Sequence, residues 1–154
     1  MKKLLYLLPL AVLLADCKKD ATIEPLELTN KRWRLADLTA QFEGAPVPVN
    51  VYATYIQDCS KDDFMFYSSD STVVYDDGEK RCDSNQPQQI SGVWRFRENN
   101  TKLLMEGYKI NGVPVNEVDV ISLDSRKMVI SYRYTDRTQV PVPVLATGTL
   151  VTFQ

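Results

Sequence analysis

Hydrophobic and polar residues alternate with a period of two along most of the chain after residue 30. Such alternation is typical of β-strands with one buried face, because successive side chains point to opposite sides of a sheet. Eight segments carry this pattern: about 32–38, 64–67, 73–75, 93–97, 102–110, 118–123, 127–135 and 144–153. Strands spaced roughly 8–15 residues apart predict an all-β domain, either an antiparallel barrel or a sandwich.

Polar turn sequences separate the predicted strands. Asp76-Asp77-Gly78 offers a turn in which glycine takes a positive φ, and Asn111-Gly112 is a typical two-residue hairpin sequence. The exception is Val47–Asp58, for which we predict a long loop with a short helical turn before Cys59. Its β-branched and aromatic residues leave an additional strand as the alternative.

The charged residues within the strands predict which face is buried. Arg95 and Arg97 alternate with Trp94 and Phe96. Burying an unpaired arginine would lower the free energy of unfolding by roughly 3–5 kcal/mol. We therefore expect the two aromatic residues to point inward. The same parity places Met128, Ile130 and Tyr132 inside, with Ile121 and Leu123 beside them. The candidate residues for lining a ligand site are Trp33, Phe64, Phe66, Trp94, Phe96, Ile130 and Tyr132; packing of the core is the alternative role for each.

The N-terminus has the pattern of an export signal. Met1-Lys2-Lys3 is basic and Leu4–Leu14 is an apolar run broken only by Pro9, which is too short to span a bilayer as a helix. The following Leu14-Ala15-Asp16-Cys17 resembles the lipobox of bacterial lipoproteins, which implies cleavage before Cys17 and its acylation by fatty acids such as palmitate. Secretion with cleavage elsewhere is the alternative.

These features predict three regions: a signal peptide over 1–16, a tether over 17–28 and the β-domain over 29–154. The expected location is the cell envelope, as an outer-membrane lipoprotein facing the periplasm or the surface. Two or more acyl chains anchor a protein firmly, whereas one holds it only marginally.

Two cysteines remain once Cys17 is assigned to the anchor. Cys59 and Cys82 form an even pair in an exported domain, where oxidising conditions favour a disulfide. A metal site would need further soft or imidazole ligands, and the chain has no histidine. We therefore predict a Cys59–Cys82 disulfide, no metal and no cofactor.

Composition and charge narrow the classes of function. The 154 residues contain 18 Lys plus Arg and 20 Asp plus Glu, a net charge of -2, which gives no basic footprint for nucleic acid. The absence of histidine removes the usual catalytic base. Asp62-Asp63 and Asp76-Asp77 match neither a paired-carboxylate site nor a calcium loop, and we predict that they are solvated. A non-enzymatic protein is expected.

The order of motifs resembles the bacterial lipocalin-like lipoproteins over most of residues 30–154. The resemblance rests on Trp33, on Cys59-Ser60-Lys61-Asp62-Asp63-Phe64, on Cys82-Asp83 and on Gly92-Val93-Trp94, followed by Ile121-Ser122-Leu123 and Met128-Val129-Ile130. It implies an antiparallel up-and-down barrel of eight strands whose interior holds a small apolar ligand. A surface protein-interaction module, such as an inhibitor or accessory subunit, is the alternative function, and no particular protein partner is predicted.

Overall fold

The computed structural model describes residues 23–107, 109–110, 113–136 and 142–153. The signal peptide, Cys17 and the predicted turn residues Asn111 and Gly112 lie outside these residues. Within these residues there are eleven strands, one short α-helix and two 3₁₀ turns, over Pro25–Glu27 and Asp58–Ser60. The strands are β1 (Arg32–Phe42), β2 (Val49–Asn50), β3 (Phe64–Tyr67), β4 (Thr72–Asp76), β5 (Gln89–Arg97), β6 (Lys102–Met105), β7 (Lys109–Ile110), β8 (Val113–Pro114), β9 (Glu117–Leu123), β10 (Lys127–Asp136) and β11 (Val142–Phe153); the helix is α1 (Tyr52–Tyr55).

Eight of these strands close into an antiparallel barrel. The hydrogen-bonded order is β11-β10-β9-β6-β5-β4-β3-β1, and β11 pairs with β1 from Phe153 opposite Arg32 to Val144 opposite Phe42. The order around the barrel follows the order along the chain, so the topology is up-and-down. The short β2 adds to the edge of β1 beyond β3, and β7 pairs with β8 in a separate hairpin. The structure thus confirms the predicted eight-stranded, lipocalin-like barrel.

The connection before β3 matches the predicted loop with a helical turn. After β2 the chain forms α1 and then a single 3₁₀ turn over Asp58–Ser60. The strand predicted over residues 102–110 is interrupted, because β6 ends at Met105 and β7 begins a separate hairpin. Ile110 pairs with Val113 in that hairpin.

Two β-bulges change which residues face the interior. In β1 the register shifts between Leu35 and Asp37, so Trp33 and Leu35 face inward before the bulge and Leu38 and Ala40 after it. In the β9–β10 pair, Ile130 lies opposite Val120 while Val129 lies opposite Ser122, which leaves Ile121 unpaired. The prediction that Ile121 points inward is wrong, because its side chain is 61% exposed. An extra residue in one strand reverses the alternation beyond it.

One end of the barrel is filled by a continuous apolar core. Its largest fully buried side chains include Trp33, Tyr67, Leu103, Met105 and Met128. Trp94 packs edge-on against the Tyr67 ring with centroids 5.8 Å apart, and its Nε1 donates a hydrogen bond to the Ser68 carbonyl. The inward positions predicted for Trp94, Met128 and Ile130 are confirmed by their burial.

The chain before β1 covers this filled end. Ile23 and Leu28 are buried in the same core, and the Trp33 indole donates a 2.8 Å hydrogen bond to the Leu28 carbonyl. Asn100, in the β5–β6 turn, donates to the Ile23 carbonyl. Ile23 and Leu28, which lie within the predicted tether, therefore pack against the barrel core.

The prediction that Phe64 and Phe66 are the inward-facing residues of β3 is wrong. Met65 and Tyr67 are the buried residues of this strand, so Phe64 and Phe66 have the opposite parity. The Phe64 ring packs edge-on against Phe153 at 5.7 Å and lies under the Arg32 guanidinium. Both faces of β3 are apolar, and hydrophobicity alone could not distinguish them.

Candidate ligand-binding cavity

The other half of the barrel encloses a cavity of about 440 Å³. This volume lies within the range of about 300–1,000 Å³ that is usual for small-molecule sites. Apolar side chains from β1, β3, β10 and β11 form its inner wall, and the chain around α1 and the β4–β5 loop form its mouth. The lining residues are Leu35, Leu38, Tyr55, Ile56, Gln57, Ser60, Asp63, Phe64, Met65, Tyr75, Asp76, Asp77, Cys82, Ile90, Gly107, Ile130, Tyr132, Gly148 and Leu150.

Gly148, on the inner face of β11, is one of the residues that line the cavity. Ala146 and Gly148 alternate inward between Val144 and Leu150, both of which are fully packed. Gly148 lies opposite Leu38 on one side and Ile130 on the other. A Cβ at position 148 would lie 3.2 Å from Leu35 Cδ1. Leu35 and Ile130 therefore pack directly over the Gly148 backbone, and a side chain at this position would displace residues that line the cavity.

A second apolar cluster packs around the mouth. It contains Leu38, Ala40, Val51, Val144 and Ala146 as buried residues, with Tyr55, Ile56 and Tyr132 packed against them. The Tyr52 hydroxyl donates a hydrogen bond to the Leu35 carbonyl and so ties α1 to β1. The loop predicted from Val47–Asp58 thus forms one wall of the cavity.

The disulfide joins two segments of the mouth. Cys59 and Cys82 are bonded, with their Cα atoms 5.1 Å apart, which confirms the predicted pairing. Cys59 lies in the 3₁₀ turn before β3, and Cys82 lies in the β4–β5 loop and borders the cavity. The bond therefore holds the loop against the segment that leads into β3.

Asp76 is buried at the end of β4, contrary to the prediction that it is solvated. Its side chain is 7% exposed. Oδ1 accepts a hydrogen bond from the Gly78 backbone N–H, where the glycine has φ +64°, and Oδ2 accepts one from Gln89 Nε2 at 2.6 Å. These bonds satisfy the carboxylate and fix the start of the β4–β5 loop.

Asp62 is also bound rather than solvated. Its Oδ2 accepts hydrogen bonds from the backbone N–H groups of Glu79 and Lys80, at 2.7 and 3.0 Å. The bond from Lys80, supported by that from Glu79, holds the pKa of Asp62 below its usual range. A Cβ on Gly78 would lie 2.7 Å from the Asp62 carbonyl oxygen, so only glycine fits this close approach.

Asp63 is the perturbed carboxyl group of the cavity. Burial raises its pKa to about 6, and the negative charge of Asp77 adds to the rise, whereas a hydrogen bond with Ser60 opposes it. Its Oδ1 is buried without a hydrogen-bond partner. Within the described ranges, no ion pair reaches Asp63, Asp76 or Asp77.

Three of the predicted lining residues border the cavity: Phe64, Ile130 and Tyr132. Trp33, Trp94 and Phe96 instead pack in the filled end of the barrel. Phe66 lies in a separate shallow cleft on the outside, beside Phe153 and Arg126. The side chains of the mouth were missed because they come from a loop without alternation.

The described residues contain no group of three or more His, Cys, Asp or Glu that could hold a metal ion. In the same part of the chain, no helix is long and apolar enough to cross a membrane. The three aspartates at the cavity therefore form no metal-binding group. The polar groups that line the cavity are carboxylates, hydroxyls, the Gln57 amide and backbone atoms.

The strand order and closure define a lipocalin-like up-and-down barrel. No family model and no curated protein matches the chain. Among solved structures it is similar to bovine odorant-binding protein from nasal mucosa, at 14% identity and a TM-score of 0.46, covering 89% of this chain and 78% of that one. A deswapped triple mutant of the bovine protein gives 14% identity and a TM-score of 0.44, covering 81% and 73%. The bovine protein in complex with its natural ligand has 12% identity and a TM-score of 0.45, and the match covers 89% of this chain and 78% of that one.

Proposed function

We propose that this protein is a non-enzymatic, lipid-anchored binding protein of the bacterial cell envelope, whose barrel holds a small apolar or amphipathic molecule. The observation that carries the binding function is the cavity of about 440 Å³. A barrel used only to present its outer surface has no need of such a space, since interiors otherwise pack to crystal-like density. The cavity thus favours ligand binding over a role as a protein-interaction module.

The division of the barrel interior supports the same function. The filled end buries Trp33, Tyr67 and Met128 and supplies the apolar burial that stabilises the fold. The other end leaves a space that is lined by Leu35, Ile130 and Gly148, among others. Filling that space with larger residues would increase burial, so its retention is consistent with use by a ligand.

Binding can be tested with the neutral fluorophore N-phenyl-1-naphthylamine and the full chain carrying Cys17→Ala, which removes any acyl chain of the protein's own. We expect saturable binding with increased fluorescence. Gly148→Leu places a side chain between Leu35 and Ile130 and should weaken binding by about tenfold or more.

The matched control is Thr147→Val, the neighbouring β11 position that has the opposite parity. Its affinity should equal that of the parent. Circular dichroism checks that each variant folds. If Gly148→Leu does not fold, Ile130→Phe is the second variant that adds bulk to the cavity wall. Unchanged affinity in a folded filled variant, or no saturable binding by the parent, would exclude the cavity as the site.

The proposed anchor is acylated Cys17. The lipobox-like Leu14-Ala15-Asp16-Cys17 and the apolar run before it support this assignment. Mass spectrometry of membrane-extracted protein should identify an acylated N-terminal peptide beginning at Cys17, and Cys17→Ala should move the protein to the soluble fraction. A variant that still fractionates with membranes would contradict the anchor without bearing on the cavity.

A further inference from the structure

The charge around the cavity has one sign. Asp63, Asp76 and Asp77 line it, whereas no lysine or arginine is among its lining residues in the part of the chain described. The opposite wall is apolar and includes Leu35, Leu38, Ile130 and Leu150. A site with an apolar wall and an uncompensated acidic side is complementary to a molecule with an apolar body and a positive head.

The basic residues of the mouth have other contacts. Lys61 Nζ pairs with the Asp58 carboxylate at 2.5 Å, and the Arg81 guanidinium donates to the backbone carbonyls of Asp83 and Gln86. The charge of Lys80 acts on Asp62 and Asp58, neither of which lines the cavity. None of these side chains forms an ion pair with a cavity aspartate, so the protein itself leaves the acidic side unneutralised.

The aspartates differ in how far the protein satisfies them. Asp76 is buried and accepts bonds from Gly78 and Gln89, so its oxygens are committed to the fold. Asp63 has one buried oxygen with no donor, and it lies close enough to Asp77 for the two charges to oppose each other. A positively charged donor bound in the cavity would relieve the repulsion between these two carboxylates.

A metal ion is the poorer occupant, since the described carboxylates form no group able to hold one. An organic ammonium needs only one or two carboxylates and gains further from burying its apolar part. We propose that the cavity prefers cationic amphiphiles, in which a protonated amine binds at Asp63 and Asp77 and a hydrocarbon or aromatic body packs against Leu35, Leu38 and Ile130. This inference rests on the proposed binding function and names its ligand class.

Displacement of N-phenyl-1-naphthylamine by octylamine, octanol and octanoate tests the preference, because the three competitors differ only in their heads. The experiment uses the full chain with Cys17→Ala at pH 8, where octylamine is positive and octanoate negative. We expect octylamine to displace the fluorophore at about a tenfold lower concentration than octanol, and octanoate to be the weakest.

Asp63→Asn should reduce the ratio of octylamine to octanol affinity by about threefold or more, since a charged hydrogen bond is roughly twice as strong as a neutral one. Asp70→Asn is the matched control, because Asp70 lies in the β3–β4 turn, at the opposite end of β4 from Asp76, and it should leave the ratio unchanged.

The outcomes separate this inference from the function on which it rests. If the fluorophore binds and octanol displaces it as well as octylamine does, the preference for amines is wrong and the binding function stands. If octanoate is the best competitor, the acidic side does not face the ligand head. If the fluorophore binds and none of the three displaces it, the preference for amines is likewise wrong. If the fluorophore does not bind, the proposed binding function fails.

Discussion

At the scale of single residues, Asp63 shows how the cavity affects stability. Its carboxyl group is half-buried beside Asp77, and burial together with that charge raises its pKa to about 6 from an ordinary value of 3.8. The native state therefore holds the proton more tightly than the unfolded state does. Ionisation of Asp63 lowers the free energy of unfolding as the pH rises from about 4 through 6, and the full loss remains above that range.

Asp63→Asn should accordingly stabilise the protein in a pH-dependent manner. We expect almost no change in the free energy of unfolding at pH 3.5 and a gain of about 1–2 kcal/mol at pH 8, after reduction for solvent screening of a half-exposed group. Urea denaturation at the two pH values measures this difference.

The control for this prediction is Asp70→Asn, because the pKa of Asp70 is shifted in the opposite direction from that of Asp63. A hydrogen bond from the Thr72 backbone N–H holds the pKa of Asp70 below its usual range, so its loss should not stabilise the protein at pH 8. A destabilising effect of Asp63→Asn at pH 8 would mean that the carboxylate is satisfied in the native state.

At the scale of elements, the mouth of the cavity depends on segments with little regular structure. The helix α1 has four residues, and residues 77–88 connect β4 to β5 without a strand. The Cys59–Cys82 disulfide and the bonds from Glu79 and Lys80 to Asp62 hold these segments together. Here the covalent link and a few hydrogen bonds replace the continuous ladders that fix the strands.

Replacing both cysteines, as Cys59→Ala with Cys82→Ala, should lower the free energy of unfolding by about 3 kcal/mol, the loop-entropy value for a link of this span. The affinity for N-phenyl-1-naphthylamine should fall as well, because Cys82 and Ser60 border the cavity. Urea denaturation and fluorescence titration measure the two effects.

Thiol labelling of the denatured, unreduced Cys17→Ala protein provides the control for this prediction, and it should find no free thiol. Labelling of both cysteines would show that the bond does not form in the exported protein.

At the scale of the whole molecule, the two ends of the barrel have different roles. The filled end, with Trp94 and Tyr67 at its centre and Ile23 and Leu28 covering it, provides most of the buried apolar surface. The open end holds the cavity and the acidic side chains. Stability and binding should therefore respond to substitutions in different halves of the barrel.

Trp94→Ala tests this division. It should lower the free energy of unfolding by roughly 3–5 kcal/mol, as for other large buried aromatic residues, and leave the fluorophore affinity of the folded fraction unchanged. Arg95→Ala, at the neighbouring exposed position, should cost less than about 0.5 kcal/mol. Urea denaturation that ranks the two variants in the opposite order would reverse the assignment of inner and outer faces.

The sequence alone determined most of the barrel strands and much of their orientation. Alternation is a local signal of period two. Because Trp94 alternates with Arg95, and Met128 and Ile130 share one parity, the sequence was enough to predict which faces of these strands are buried. The even pair Cys59 and Cys82 likewise predicted its own disulfide. These properties depend on residue type and short spacing, which are present in the chain before it folds.

The tertiary structure decided the bulges, the cavity and its charge. The bulge that exposes Ile121 exists only in the pairing of β9 with β10. The cavity-lining residues Leu38, Ile130 and Gly148 meet only because β11 pairs with both β1 and β10. The acidic side forms because Phe64, the first residue of β3, pairs with Asp76 at the end of β4, so that the preceding Asp63 lies close to Asp77. Each depends on contacts between residues far apart in sequence, which a local pattern does not encode.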